Sequence, residues 1–121
     1  MKRVLLVDSE QANRALLRSR LETDGYDVVE CDGASNTLEF FRLGADAVLV
    51  SRPSAETPAV ELLHALRAIN PQRPAILVSS SVDETLEALR QGAFYVTRGP
   101  LGPDEGSLLL GLAVRGRQDG A

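Results

Sequence analysis

Asp46-Ala47-Val48-Leu49-Val50-Ser51 is the stretch on which the fold turns. It reads as a short strand, apolar along its length and ending at a hydroxyl. Such a run, too short for a helix and bounded by turn residues, suits a strand covered on both faces, as in parallel sheets. Val4-Leu5-Leu6-Val7 and Ala75-Ile76-Leu77-Val78 repeat the pattern. The first stops at Asp8-Ser9-Glu10 and the second at Ser79-Ser80-Ser81. Two weaker strands complete the set. Residues 26–31 carry more polar side chains, as suits a sheet edge, and residues 94–98 form a fifth strand.

Helical patterns fill the intervals. Ala12, Ala15, Leu16 and Leu21 trace an apolar stripe, with Arg18 and Arg20 on a solvated face. Asp24-Gly25 ends that helix. Residues 36–43 carry Leu38, Phe40, Phe41 and Leu43, and Gly44 closes them. Thr57 is the expected N-cap of the third helix, with Pro58 at its first helical position. Val60, Leu62, Leu63, Leu66 and Ile69 form its apolar row. Ser81 and Glu84 match a capping box before Leu86, Ala88 and Leu89, and Gly92 ends that helix. A last helix over 108–114 is weakened by Gly106 and Gly111. Residues 1–115 therefore read as one domain, and 116–121 as a polar tail or the start of a linker.

Five strands alternating with five helices imply an α/β fold: a doubly wound, five-stranded parallel sheet with right-handed crossovers. Ligand sites in such sheets lie outside the carboxyl ends of the strands. Asp8, Ser9, Glu10, Ser51, Ser79, Arg98 and Gly99 all fall at those ends.

Composition narrows the function. The chain has 121 residues, enough for one core without staples. Its net charge of -4 gives no reason to expect nucleic-acid or membrane-surface binding. The single cysteine, Cys31, permits no internal disulfide and reads as an inert, half-buried thiol. No apolar run reaches membrane-spanning length and no signal-peptide pattern opens the chain, so a cytoplasmic protein is expected. Lys2 is the only lysine, so no mechanism can call on a lysine in the second half.

The chain resembles the receiver domain of two-component response regulators over essentially its whole length. The resemblance rests on Val4-Leu5-Leu6-Val7-Asp8, on Asp46-Ala47-Val48-Leu49-Val50 with the proline-containing loop and Glu61-Leu62-Leu63 after it, on Pro74-Ala75-Ile76-Leu77-Val78-Ser79, and on Gly92-Ala93. It implies a flavodoxin-like (βα)5 receiver fold. It also implies signalling in a phosphorelay, with a phosphoryl group passed from a histidine kinase to an aspartate with Mg²⁺ and the change relayed to a partner surface.

Carried over residue by residue, the resemblance fails where the chemistry is. Asp8 matches the first acidic metal-binding residue. The second falls on Ser9, with Glu10 beside it. The phospho-accepting position falls on Ser51, and the switch hydroxyl is kept as Ser79. The lysine-equivalent position falls on Gly99, or on Arg98 if a residue is dropped before Tyr95. The second alignment keeps Tyr95 as the switch aromatic and Val96 in the core, and leaves Arg98 unburied.

A hydroxyl is a poor nucleophile without a base, and His64, inside or on the third helix, reads as a surface or packed histidine and not a ligand. With one carboxylate lost at Ser51 and another at Ser9, a Mg²⁺ site at Asp8 would be weak or absent. No cofactor and no enzymatic activity are expected. Asp8 either ligates a metal or accepts hydrogen bonds at the strand end, with pairing to Arg98 the favoured form. The Gly99–Pro100 bond is a candidate cis peptide. The expectation is a pseudo-receiver that binds a protein partner, a second copy being one candidate, through the fourth helix, fifth strand and fifth helix. Phe94, Tyr95 and Leu101 are its candidate contacts. The alternative is a receiver-like domain sensing an anion or small ligand at the strand ends.

Overall fold

A computed structural model describes residues 2–52, 57–79, 81–99 and 101–119. Its elements alternate: β1 (Arg3–Asp8), α1 (Gln11–Thr23), β2 (Asp27–Cys31), α2 (Ala34–Leu43), β3 (Ala47–Arg52), α3 (Ala59–Ile69), β4 (Ala75–Val78), α4 (Val82–Arg90), β5 (Tyr95–Thr97) and α5 (Pro103–Asp119). The five strands form one sheet in the order β2-β1-β3-β4-β5, all neighbours parallel. The predicted edge strand, β2, is at an edge.

The inner strands are apolar on both sides because both sides are covered. Alternate residues feed two cores. Leu5, Val7, Val48, Val50 and Leu77 join Phe41, Leu62, Leu63 and Ala88 under α2, α3 and α4. Val4, Leu6, Leu49 and Ile76 join Leu17, Leu21, Leu110 and Ala113 under α1 and α5.

Several local expectations change. In α1 it is Leu17 and Leu21 that are buried, while Ala12, Ala15 and Leu16 are exposed. Packing against α5 sets that rotation, which helical spacing alone leaves free. α3 has Pro58 as its N-cap and starts one residue later than predicted, with no side-chain cap. α4 follows the prediction: the Ser81 hydroxyl accepts the Glu84 N–H at 3.0 Å. α5 runs well beyond 108–114 in both directions, into the stretch read as a polar tail as far as Asp119. The helix continues through Gly106. A Cβ there would lie 3.3 Å from Leu17 Cδ2 and 3.6 Å from Leu49 Cδ2, so the glycine lets α5 settle on the sheet. Leu101, named as a surface contact, is 2 % exposed and belongs to the α1/α5 core. Cys31 is fully buried rather than half-buried, and burial pushes its thiol pKa up. Among the described residues no helix is long and apolar enough to cross a membrane. The Gly99–Pro100 peptide lies outside the described residues.

Candidate functional site

The site forms where β1 and β3 end. Pairing runs in step from Val4↔Ala47 to Val7↔Val50 and then shifts, so that Asp8 pairs with Arg52. Ser51 is the extra residue of this bulge. Bulges of this kind re-aim side chains at strand ends. Asp8 is 0 % exposed and Ser51 is 5 % exposed.

A residue not singled out in the sequence joins them. Asn13 Nδ2 donates to Asp8 Oδ2 at 2.6 Å and to Ser51 Oγ at 3.2 Å. The amide must present its NH₂ here, because its carbonyl oxygen would face a carboxylate. The other Asp8 oxygen, Oδ1, accepts the Glu10 N–H at 2.8 Å, just before the start of α1. Arg14 donates through Nη1 to the Asp8 carbonyl oxygen at 2.7 Å and through Nε to Glu30 at 3.0 Å. Arg14 is thus a clamp between site and sheet edge, and α1 is not lined simply by solvated arginines. Burial alone would raise the Glu30 carboxyl. Hydrogen bonds from Arg18 and Arg14 outweigh it and hold Glu30 below the ordinary carboxylate range.

The remaining predicted residues lie around this cluster. Ser9 is exposed, and its N–H donates to the Arg52 carbonyl at 2.9 Å. Glu10 turns outward and accepts from Arg52 Nη1 at 2.6 Å, forming an exposed ion pair. Ser79 is 4 % exposed. Its hydroxyl is bonded to Thr85 Oγ1 at 2.5 Å, and Thr85 in turn donates to the Ser81 carbonyl. The Ser79 hydroxyl is therefore tied to α4 and not to Ser51. Tyr95 is 43 % exposed and pairs in register with Ile76, whose side chain faces the α1/α5 core. Val96 packs on the opposite core beside Leu77. No hydrogen bond joins Tyr95 to the site among the described residues. Arg98 and Gly99 are exposed. The Asp8–Arg98 pair does not form: Asp8 is satisfied by Asn13 and Glu10, and Arg98 stays in solvent. His64 is exposed on α3.

The missed residues had a signal. Asn13, Leu17 and Leu21 recur every four residues, so the buried row of α1 begins with an amide aimed inward. Reading Leu16 as the buried residue hid that row.

Mg²⁺ takes near-octahedral oxygen ligands, usually more than one of them anionic or from substrate. Here Asp8 is the sole buried carboxylate of the cluster, and the space between it and Ser51 is filled by an N–H donor with no lone pair to offer. No group of three or more acidic, His or Cys side chains suited to a metal exists among the described residues. The residues present do not fit the ion.

No protein-family model matches the chain. It is 32% identical over 114 residues, 92% of its length, to the transcriptional regulatory protein ZraR of Klebsiella oxytoca, and spans 26% of that protein. Among solved structures it superposes on a CheY-like response regulator receiver domain protein from Methanospirillum hungatei with a TM-score of 0.92, at 21% identity, covering 100% of this chain and 99% of that one. A response regulator receiver domain protein from Clostridium thermocellum gives 0.89 at 21% identity, with complete coverage of both. This chain has the fold of response regulator receiver domains, and over nearly all of its length it is similar in sequence to part of a transcriptional regulatory protein.

Proposed function

We propose that this receiver domain signals without phosphorylation, as a protein-interaction module that lacks the phospho-accepting aspartate. The observation that carries this reading is the closed Asp8–Asn13–Ser51 cluster. Phosphoryl transfer to a receiver needs an anionic nucleophile, a metal bridging it to the phosphoryl oxygens, and a cation holding them. Ser51 offers a hydroxyl with no base beside it. Asn13 already bonds both Asp8 and Ser51, and Arg98 is outside the cluster.

The surface supports the other half of the reading. Val82, Leu86 and Leu89 recur at helical spacing on α4 and are 57, 49 and 51 % exposed. Phe94 and Tyr95 lie at the start of β5, and Leu108 and Leu112 stand one turn apart on α5, all exposed. Among the described residues these seven are most of the large apolar side chains left exposed, so they suit a protein partner better than solvent. Acting within a longer cytoplasmic regulator is part of the same proposal, since the chain spans about a quarter of the length of ZraR.

Acetyl phosphate with Mg²⁺ should add no phosphoryl mass to the intact protein. Beryllofluoride with Mg²⁺ should leave the amide resonances of Asp8, Ser51 and Ser79 unmoved. Saturable shifts that spread to α4 would sink the proposal and favour a site that still senses an anion. That second reading has less support, because the Ser79 and Ser81 hydroxyls are already engaged within α4.

A further inference from the structure

We infer that the Asn13 carboxamide does in this site what a divalent cation would otherwise do, and that it keeps Mg²⁺ out. The inference rests on the phosphorylation-independent reading and traces it to one residue. Asp8 is 0 % exposed, yet it takes part in no ion pair among the described residues. A buried carboxylate without a counter-charge is costly unless its oxygens are hydrogen-bonded. The Glu10 N–H serves one oxygen and Asn13 the other.

The same Asn13 nitrogen reaches Ser51, so one neutral group ties the ends of β1 and β3 to the first turn of α1. A cation bridging Asp8 and Ser51 would need the volume of that NH₂ group. The helix that carries Asn13 is fixed in place. Leu17 and Leu21, one and two turns on along the same row, are both 0 % exposed and hold the rotation of α1. Arg14, the next residue, grips the Asp8 carbonyl and Glu30. The site is thus held closed by packing and by hydrogen bonds.

The experiment titrates Mg²⁺ alone, against NaCl at matched ionic strength, into the wild-type chain and the Asn13→Asp and Asn13→Ala variants. Thermal unfolding and amide NMR are the readouts. The wild type should show no saturable response. Asn13→Asp should give a saturable rise in Tm, with shifts at Asp8 and Ser51 and Mg²⁺ binding tighter than wild type by about tenfold or more, because a donor becomes an anionic ligand. If Asn13→Asp folds only when Mg²⁺ is present, that also supports the inference. Asn13→Ala adds no charge and carries the test independently. It should lose stability in metal-free buffer and regain part of it with Mg²⁺ but not with NaCl.

Two results overturn the inference: both variants as indifferent to Mg²⁺ as the wild type, or a wild type that binds Mg²⁺ as tightly as Asn13→Asp. The functional reading fails separately, on phosphoryl uptake by the wild type. A wild type inert to acetyl phosphate, with variants blind to Mg²⁺, would leave that reading standing and remove only the role given to Asn13.

Discussion

Ser51→Asp puts a second carboxylate into the space that Asn13 now shares between Asp8 and the hydroxyl. Asn13 Nδ2 lies 2.6 Å from Asp8 Oδ2 and 3.2 Å from Ser51 Oγ, so those two oxygens are at most about 5.8 Å apart. Two unit charges at that separation repel by about 3 kcal/mol at an effective dielectric constant of ~20. Solvent gives little relief, since Asp8 and Ser51 are 0 and 5 % exposed. Asn13 can give one hydrogen to each carboxylate, and a stronger bond to the new one offsets about 1 kcal/mol. The expected loss is about 2 kcal/mol at neutral pH without metal, the difference of those two contributions. Urea unfolding reads it as a lower midpoint at unchanged m. The loss should shrink in acid, where protonating the introduced carboxyl removes the repulsion. Phosphoryl uptake from acetyl phosphate should stay small, because Ser9 is no carboxylate and Lys2 is the only lysine. A variant as stable as wild type at neutral pH in metal-free buffer would refute the charge argument. Efficient phosphorylation of the single variant would refute the weight given to Ser9 and to the missing lysine.

Three further expectations test the packing and the electrostatics. Gly92 has φ +91°, and a Cβ there would lie 2.7 Å from Arg67 Nη2, whose guanidinium also donates to the Pro71 carbonyl. Gly92→Ala should therefore cost about 1–2 kcal/mol for the backbone alone, and an unchanged thermal midpoint would contradict it. On α5, Gly106 and Gly111 should behave oppositely. Gly106→Val pushes methyls into Leu17 and Leu49 and should cost about 1–3 kcal/mol. Gly111→Ala, facing only Arg115 and the Tyr26 hydroxyl at 3.6 Å or more, should gain up to ~1 kcal/mol of helix propensity. Equal effects in urea unfolding would show that the close approach at Gly106 does not matter. Glu30 is held below the ordinary carboxylate range in the folded chain. Its contribution is therefore complete above the unfolded carboxylate pKa and is lost as pH falls through the lower, folded value. Glu30→Gln should lower stability at neutral pH and flatten the acid limb of the stability profile; a parallel profile would count against the clamp.

Much of this protein was legible in the chain before any coordinates. Continuous apolar runs at Val4–Val7, Val48–Val50 and Ala75–Val78 demand cover on both faces, and only a parallel sheet between helices supplies it. That reasoning placed ten elements and set β2 at an edge. It also placed Ser51 and Ser79 at the carboxyl ends of their strands and found no carboxylate at Ser51. All of this depends on periodicity and residue type, which are local. What a side chain faces is not local. Leu101 and Leu16 are equally apolar in the sequence, yet one is 2 % and the other 61 % exposed, because the packing of α5 and the rotation of α1 decide it. The same rotation turns Asn13 inward to meet Asp8 and Ser51, residues 5 and 38 positions away. It also removes Asp8's need for Arg98. The chain alone determined that a hydroxyl, not a carboxylate, stands near the end of β3. Only the tertiary structure decided what that hydroxyl meets, because a hydrogen bond depends on where three elements meet, and no single stretch of sequence contains that meeting.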